Sequence, residues 1–133
     1  MAQRGQTIPG IASGAVVNRT IAKISSTSTI NNKQFTTCNG VGTDQPIGVI
    51  EYDAATGLSC AVVVDGVCKV RAGAAIALAA TGRTPITNDA SGRAILAAPG
   101  VGVNLGILGY AMEPAGALGD EIDVLVNPSV LQG

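Results

Sequence analysis

Residues 48–64 read GVIEYDAATGLSCAVVV and hold the pattern that predicts the fold. Two short apolar runs rich in Val and Ile flank a turn of small residues, which is typical of strands joined by tight loops. The pattern returns as GILGYAM from Gly106 and DVLV from Asp123, with the glycine and the tyrosine displaced by the same number of positions. Upstream, RTIAKIS from Arg19 is echoed by RTPIT from Arg83. We therefore predict a weak two-fold internal repeat, about residues 19–71 and 83–126, in which each half buries one face against the other.

The rest of the chain shows the same alternation of short apolar runs and turn residues. The runs are TIAKIS, CAVVV, VCKV, RAIL, LGILGYA and IDVLV, and the turns between them include TDQP, NDASG and EPAG. A helix or a turn is allowed only at residues 72–80, because Gly73 and Gly82 bracket that alanine-rich stretch. A chain of 133 residues can bury one core without disulfides. The sequence thus predicts an all-β fold, a compact small barrel or sandwich-like domain over residues 19–133 with at most one or two short helices.

Two turns can be placed from local chemistry. Asp65-Gly66 predicts a two-residue hairpin, because this pair tolerates positive φ. That hairpin would put Cys60 and Cys68 on opposite faces of the sheet. A three-residue loop would instead put them on the same face. Cys38 makes the cysteine count odd, which favours free thiols.

The stretch RTPITNDASGRAIL at residues 83–96 predicts a second hairpin. Its strands are residues 84–87 and 93–96, and its turn is residues 88–92. Asn88 and Asp89 have side chains that bond nearby backbone amides and tolerate left-handed geometry. This chemistry favours a turn over a ligand site.

Residues 1–18 predict a flexible N-terminal arm without a fold of its own, because Gly5, Pro9, Gly10 and Gly14 interrupt it. Its apolar side chains and one arginine would be the anchors to a partner, and these candidates are Arg4, Ile8, Pro9, Ile11, Val16 and Val17. Residues 1–43 carry four basic and no acidic side chains, so the arm lies at a positive end suited to an acidic surface. An untethered terminus without function is the alternative.

The composition argues against catalysis and against several ligand classes. The chain has no histidine, and the pairs Glu51/Asp53 and Glu121/Asp123 alternate as on a solvated strand face. Three aromatic residues and a net charge of −1 argue against sugar stacking and nucleic-acid binding. No apolar run reaches membrane-spanning length, and no targeting segment is visible. We expect no enzyme activity, cofactor, metal, nucleic acid or membrane partner, and synthesis in the host cytoplasm.

The run from Asp44 to Ile95 resembles the phage capsid cement proteins, a family of unknown function that is sometimes mislabelled as recombinase-like. The similar parts are Gly48 after a polar turn, the small-residue loop after Tyr52, VDGVCKVRAGAAI from Val64, DASGRA from Asp89 and GALGDEIDVLV from Gly116. The order of loop, strand and hairpin is more distantly similar to the head decoration protein of phage lambda.

This resemblance implies a non-enzymatic virion protein on the outer surface of the expanded capsid. It implies trimers that bind the major capsid protein and clamp neighbouring capsomers, with an arm that becomes ordered by extending a capsid sheet. Two alternatives stay open: another phage structural subunit, such as a head fibre base, tail or baseplate, and a small host-surface binding module.

Overall fold

The computed structural model describes residues 5–133, which are all-β as predicted. The strands are β1 (Thr7–Ala12), β2 (Ile21–Ile24), β3 (Gln34–Thr37), β4 (Gly48–Ile50), β5 (Ser59–Val63), β6 (Gly66–Arg71), β7 (Pro85–Asn88), β8 (Ala94–Leu96), β9 (Asn104–Ala111) and β10 (Glu121–Gln132). Residues 72–80 form isolated bridges and a turn, so the turn alternative holds there. No helix in the described part of the chain could span a membrane.

Strands β1 to β5 close into a barrel, which we call the first barrel. Its strand order is β1-β3-β2-β4-β5, with β1 parallel to β3 and antiparallel to β5. Strands β6 to β10 form a sheet of order β6-β10-β9-β7-β8, and a parallel bridge between Ala72 and Ala94 joins its two outer strands. We call this sheet the second barrel, because each strand pairing of the first has a counterpart of the same direction in it. The predicted internal repeat is therefore present in the topology.

The strand register fixes which residues of the two barrels are equivalent. Val49 lies opposite Val63 in the first barrel, and Tyr110 lies opposite Leu125 in the second. Gly48 is therefore equivalent to Gly109. The sequence pattern had aligned it with Gly106 instead. A Cβ on Gly48 would collide with the carbonyl oxygen of Val63, and one on Gly109 with that of Leu125. Both glycines are needed for the same close approach of two strands.

The two barrels have equivalent cores. The interior of the first barrel is formed by Ala12, Val16, Ala22, Phe35, Ile50, Ala54, Cys60 and Val62. The equivalent residues Ala72, Ile76, Ile86, Ala94, Ala111, Ala115, Ile122 and Val124 all belong to one buried cluster of the second barrel. One pair of equivalent positions differs in how its volume is divided. The first barrel has Gly10 beside Phe35, whereas the second has Val70 in place of the glycine and Ala94 in place of the phenylalanine. The eight equivalent positions are thus apolar and buried in both barrels although the individual side chains differ.

The barrels pack directly against each other, and residues on the outside of the first barrel, such as Val49 and Val63, belong to the same buried cluster as the interior of the second. The backbone N–H of Ile21 donates to the carbonyl of Gly92 at 2.7 Å, and that of Arg71 donates to the carbonyl of Arg19 at 2.9 Å. Asn88 Nδ2 donates to the carbonyl oxygen of Gly40 at 3.2 Å. These bonds satisfy backbone groups that would otherwise be buried without partners. The described chain is thus one compact domain.

The prediction of an unfolded N-terminal arm is wrong for residues 7–12. They form β1, which pairs with β5 along one edge and with β3 along the other. Gly10 is required there because the ring of Phe35 fills the space that its side chain would need. The boundaries of the half-repeats shift for the same reason, since β1 belongs to the first barrel and β6 to the second.

The prediction of a hairpin at Asp65-Gly66 is also wrong. Strand β5 pairs with β1 and β4, whereas β6 pairs with β10, so this turn links the two barrels instead of two paired strands. The free state of the cysteines is confirmed, and all three are buried. Cys60 and Cys68 are kept apart because they lie in different barrels.

The hairpin at residues 83–96 is confirmed, with β7 and β8 as its strands. Asp89 Oδ1 accepts hydrogen bonds from the backbone N–H groups of Ser91 and Arg93, each at 2.8 Å. Asn88 has a different role from the predicted one, because it is fully buried and bonds across to the first barrel.

Candidate interaction surface

The predicted anchor residues differ in how far the fold buries them. Arg4 lies outside the described residues. Val16 is buried in the first barrel, and Ile8 packs against the same core. Ile11 is half-buried, whereas Pro9 and Val17 are exposed. β1 pairs with β5 over Thr7 to Ile11 but with β3 only at Ile11 and Ala12, so within the described residues the other edge of Thr7–Gly10 has no strand partner.

The basic side chains near the start of the chain take part in ion pairs. Lys23 Nζ lies 3.0 Å from Asp44 Oδ2, and Arg19 pairs with Glu121 of the second barrel. Burial of Asp44 acts to raise its pKa, but the N–H groups of Gly40 and Asn39 and the ammonium of Lys23 outweigh this, and the pKa is lowered. Arg19 and Lys23 therefore join parts of this chain, whereas Lys33 is exposed.

The acidic pairs identified in the sequence are also tied to cations or backbone donors. Asp123 Oδ1 lies 3.3 Å from Lys69 Nζ, which lies 2.8 Å from Glu113 Oε1. The hydrogen bond to Glu113 raises the pKa of Lys69 and lowers that of Glu113. Asp53 Oδ1 accepts the backbone N–H of Asn18 at 2.8 Å. Within residues 5–133 no group of three His, Cys, Asp or Glu side chains comes together to hold a metal ion.

The cysteines are not arranged as nucleophiles. Burial, followed by the negative charge of Asp44, raises the pKa of Cys38 to about 12. Burial also raises the pKa of Cys60. A thiol with a raised pKa carries little thiolate at neutral pH and is a poor nucleophile. These two sites are structural positions in the core.

Exposed apolar side chains gather on both barrels. On the second barrel a cleft is lined by Leu78, Met112 and Leu125 around Tyr110, and the first three are each more than two-fifths exposed. On the first barrel, the loop between β2 and β3 carries Ile30, which is 95% exposed. The sequence did not indicate that these apolar side chains are exposed, because only strand pairing shows which of them point outward.

Comparison with protein-family profiles and with curated protein sequences gives no match. Among solved structures, the fold is similar to the N base of the head fibre protein gp8.5 of bacteriophage phi29, with a TM-score of 0.68 and 18% sequence identity. The alignment covers 96% of this chain and 98% of that chain. The similarity therefore concerns the whole two-barrel unit. The resemblance to the cement proteins stays a prediction.

Proposed function

We propose that this chain is a non-enzymatic structural protein of a phage virion that attaches to the outside of the head. The observation that carries the proposal is the full-length fold similarity to a head fibre base, which spans nearly all of both chains. The base of a head fibre is accordingly the favoured role. A capsid cement role, which the sequence resemblance implies, is the second candidate.

The surface chemistry supports a binding role. Charged residues make up 13% of the sequence, several of them form ion pairs within the chain, and large apolar side chains are exposed on both barrels. Exposed apolar groups in patches are typical of protein interfaces. The proposed partner is the major capsid protein. Copies linked in one oligomer would attach more firmly to a head than single copies, because linked contacts act together.

The predicted anchor residues give this proposal a first surface to test. Pro9 and Val17 are the exposed members of that set. We propose that they contact the capsid directly, whereas Ile8 and Val16 support the barrel beneath them. Aspartate at both exposed positions should weaken attachment without unfolding the chain, because neither side chain is buried.

The experiment is co-sedimentation of the purified chain with expanded, undecorated heads of its parent phage, with the bound copies counted against the major capsid protein. Saturable binding that leaves the heat resistance of the heads unchanged supports a fibre base. Saturation near one copy per capsid subunit, with heads that resist heating better, supports cementing. Association with tails alone, or no association with any particle, would refute the head-attached role.

A further inference from the structure

A row of four side chains crosses the outer face of the first barrel. Val63 lies opposite Val49, Val49 lies opposite Ile21, and Cys38 donates its backbone N–H to the carbonyl of Ile21 at 2.8 Å. We call these residues the first row. Each is 0% exposed, because the second barrel covers them.

The second barrel carries an equivalent row with the same strand register. Leu125 lies opposite Tyr110, Tyr110 lies opposite Pro85, and Ala97 donates its backbone N–H to the carbonyl of Pro85 at 2.9 Å. We call these residues the second row. Leu125 is 42% exposed, and Tyr110 and Pro85 are only half-buried. Ala97, at the β8 end of the row, is only 6% exposed. The chain thus covers the whole first row but leaves Leu125, Tyr110 and Pro85 of the second row accessible.

The cover of the first row includes the turn between β7 and β8. The carbonyl of Gly92 accepts the N–H of Ile21, and a Cβ on Gly92 would collide with Thr37 beside the row. The first barrel has an element in the equivalent position, the loop of residues 25–33 between β2 and β3. This loop is longer than the turn and presents Ile30 and Lys33 to solvent.

We propose that the second row binds the β2–β3 loop of a second copy of this chain, so that copies associate head to tail. The contact would repeat, between chains, the packing that already joins the two barrels within one chain. A head-to-tail contact uses different surfaces on its two sides and closes into a ring when the rotation permits. In such a ring first and second barrels would alternate.

A cleft at the second row suits an apolar side chain from the loop. Leu78 and Met112 line this cleft together with Leu125 and Tyr110. Burial of the exposed Ile30 side chain there would remove apolar surface from water and so favour association. Pro85 has no N–H, so the hydrogen bond from Ile21 to Gly92 has no counterpart in this contact, which would depend on the burial of apolar side chains.

The test measures the mass of the purified chain in solution by sedimentation equilibrium, with Leu125→Asp and Ile30→Asp as separate variants. The wild-type chain should form a closed oligomer of the 13.1 kDa protomer, and each variant should associate at least tenfold more weakly. The control is Leu118→Asp, which places the same charge on a residue that is 59% exposed and belongs to neither surface. This control should associate as the wild type does.

Mixing the two variants distinguishes a head-to-tail contact from a symmetric one. Leu125→Asp keeps an intact loop and Ile30→Asp keeps an intact second row, so a mixture should form one-to-one complexes that neither variant forms alone. A monomeric wild-type chain would overturn the proposal, as would an Ile30→Asp variant that still assembles. Attachment to phage heads is measured separately, so failure of this contact and failure of the proposed function are distinguishable.

Discussion

Substitution of Gly10 by alanine tests how the first barrel accommodates Phe35. A Cβ at position 10 would lie 2.5 Å from Cε2 of the Phe35 ring and 2.8 Å from the carbonyl oxygen of Lys33. Both distances are shorter than van der Waals contact, so the ring or the strand must shift. We expect Gly10→Ala to lower the free energy of unfolding by about 1–3 kcal/mol, as overpacking of a core usually does.

The same substitution should cost less when the ring is absent. Phe35 is 4% exposed, and Phe35→Ala should cost about 3–5 kcal/mol through the cavity that it leaves. In that background only the contact with Lys33 remains, and the new methyl group fills part of the cavity. The cost of Gly10→Ala should then fall by about 1–2 kcal/mol, a coupling typical of residues in direct contact. The second barrel already combines a larger residue, Val70, with a smaller one, Ala94, at the equivalent positions.

The assay is urea unfolding of the wild type, both single variants and the double variant, with the free energy taken from the midpoint and the slope. Phe35→Leu serves as a milder background if Phe35→Ala does not fold. An equal cost of Gly10→Ala in both backgrounds would refute the reasoning. It would mean that the backbone contact with Lys33, and not the ring, sets the requirement for glycine.

Two further predictions concern the titratable groups. All three cysteine thiols are buried, so a thiol reagent should modify them only as fast as the protein unfolds, and rapid modification of any thiol in the native protein would contradict their burial. The pKa of Asp44 is lower in the folded chain than in the unfolded chain, where it is about 3.9. Its carboxylate therefore stabilises the fold at pH values above about 3.9, and this contribution is lost as the pH falls through the folded pKa. The difference in unfolding free energy between the wild type and Asp44→Asn, measured by urea titration, should therefore shrink as the pH falls from neutrality to below the folded pKa, and a constant difference would argue against this role.

Local sequence patterns predicted the strands and the repeat well. Short runs of Val and Ile with turn residues between them gave an all-β chain, and the match of Arg19 with Arg83 paired the correct strands. The match of Gly48 with Gly106 had the right strand but the wrong residue, because β4 has three residues and β9 has eight. Sequence similarity alone could not choose between Gly106 and Gly109, whereas the contact with a facing carbonyl does.

The candidate surface was predicted less well than the fold. The glycines and proline of the first eighteen residues favoured an arm, yet Gly10 is there because Phe35 occupies the space beside it. Val16 was a predicted anchor and is a core residue. Leu125 was not singled out at all, since alternation along β10 shows only that its face differs from that of Val124. Whether such a face is covered depends on which other strand or barrel reaches it.

The sequence by itself determined the strand class, the turn at Asp89 and the presence of two related halves, because these follow from the period of the apolar residues and from turn chemistry. The tertiary structure decided that β1 belongs to the first barrel, that the Asp65-Gly66 turn joins barrels, and that Val63 is covered while Leu125 is open. The physical reason is that strand partners are chosen over long distances in the chain, by the register and packing that best fill each core. Those partners, and not the local pattern, determine which side chains remain available to another molecule.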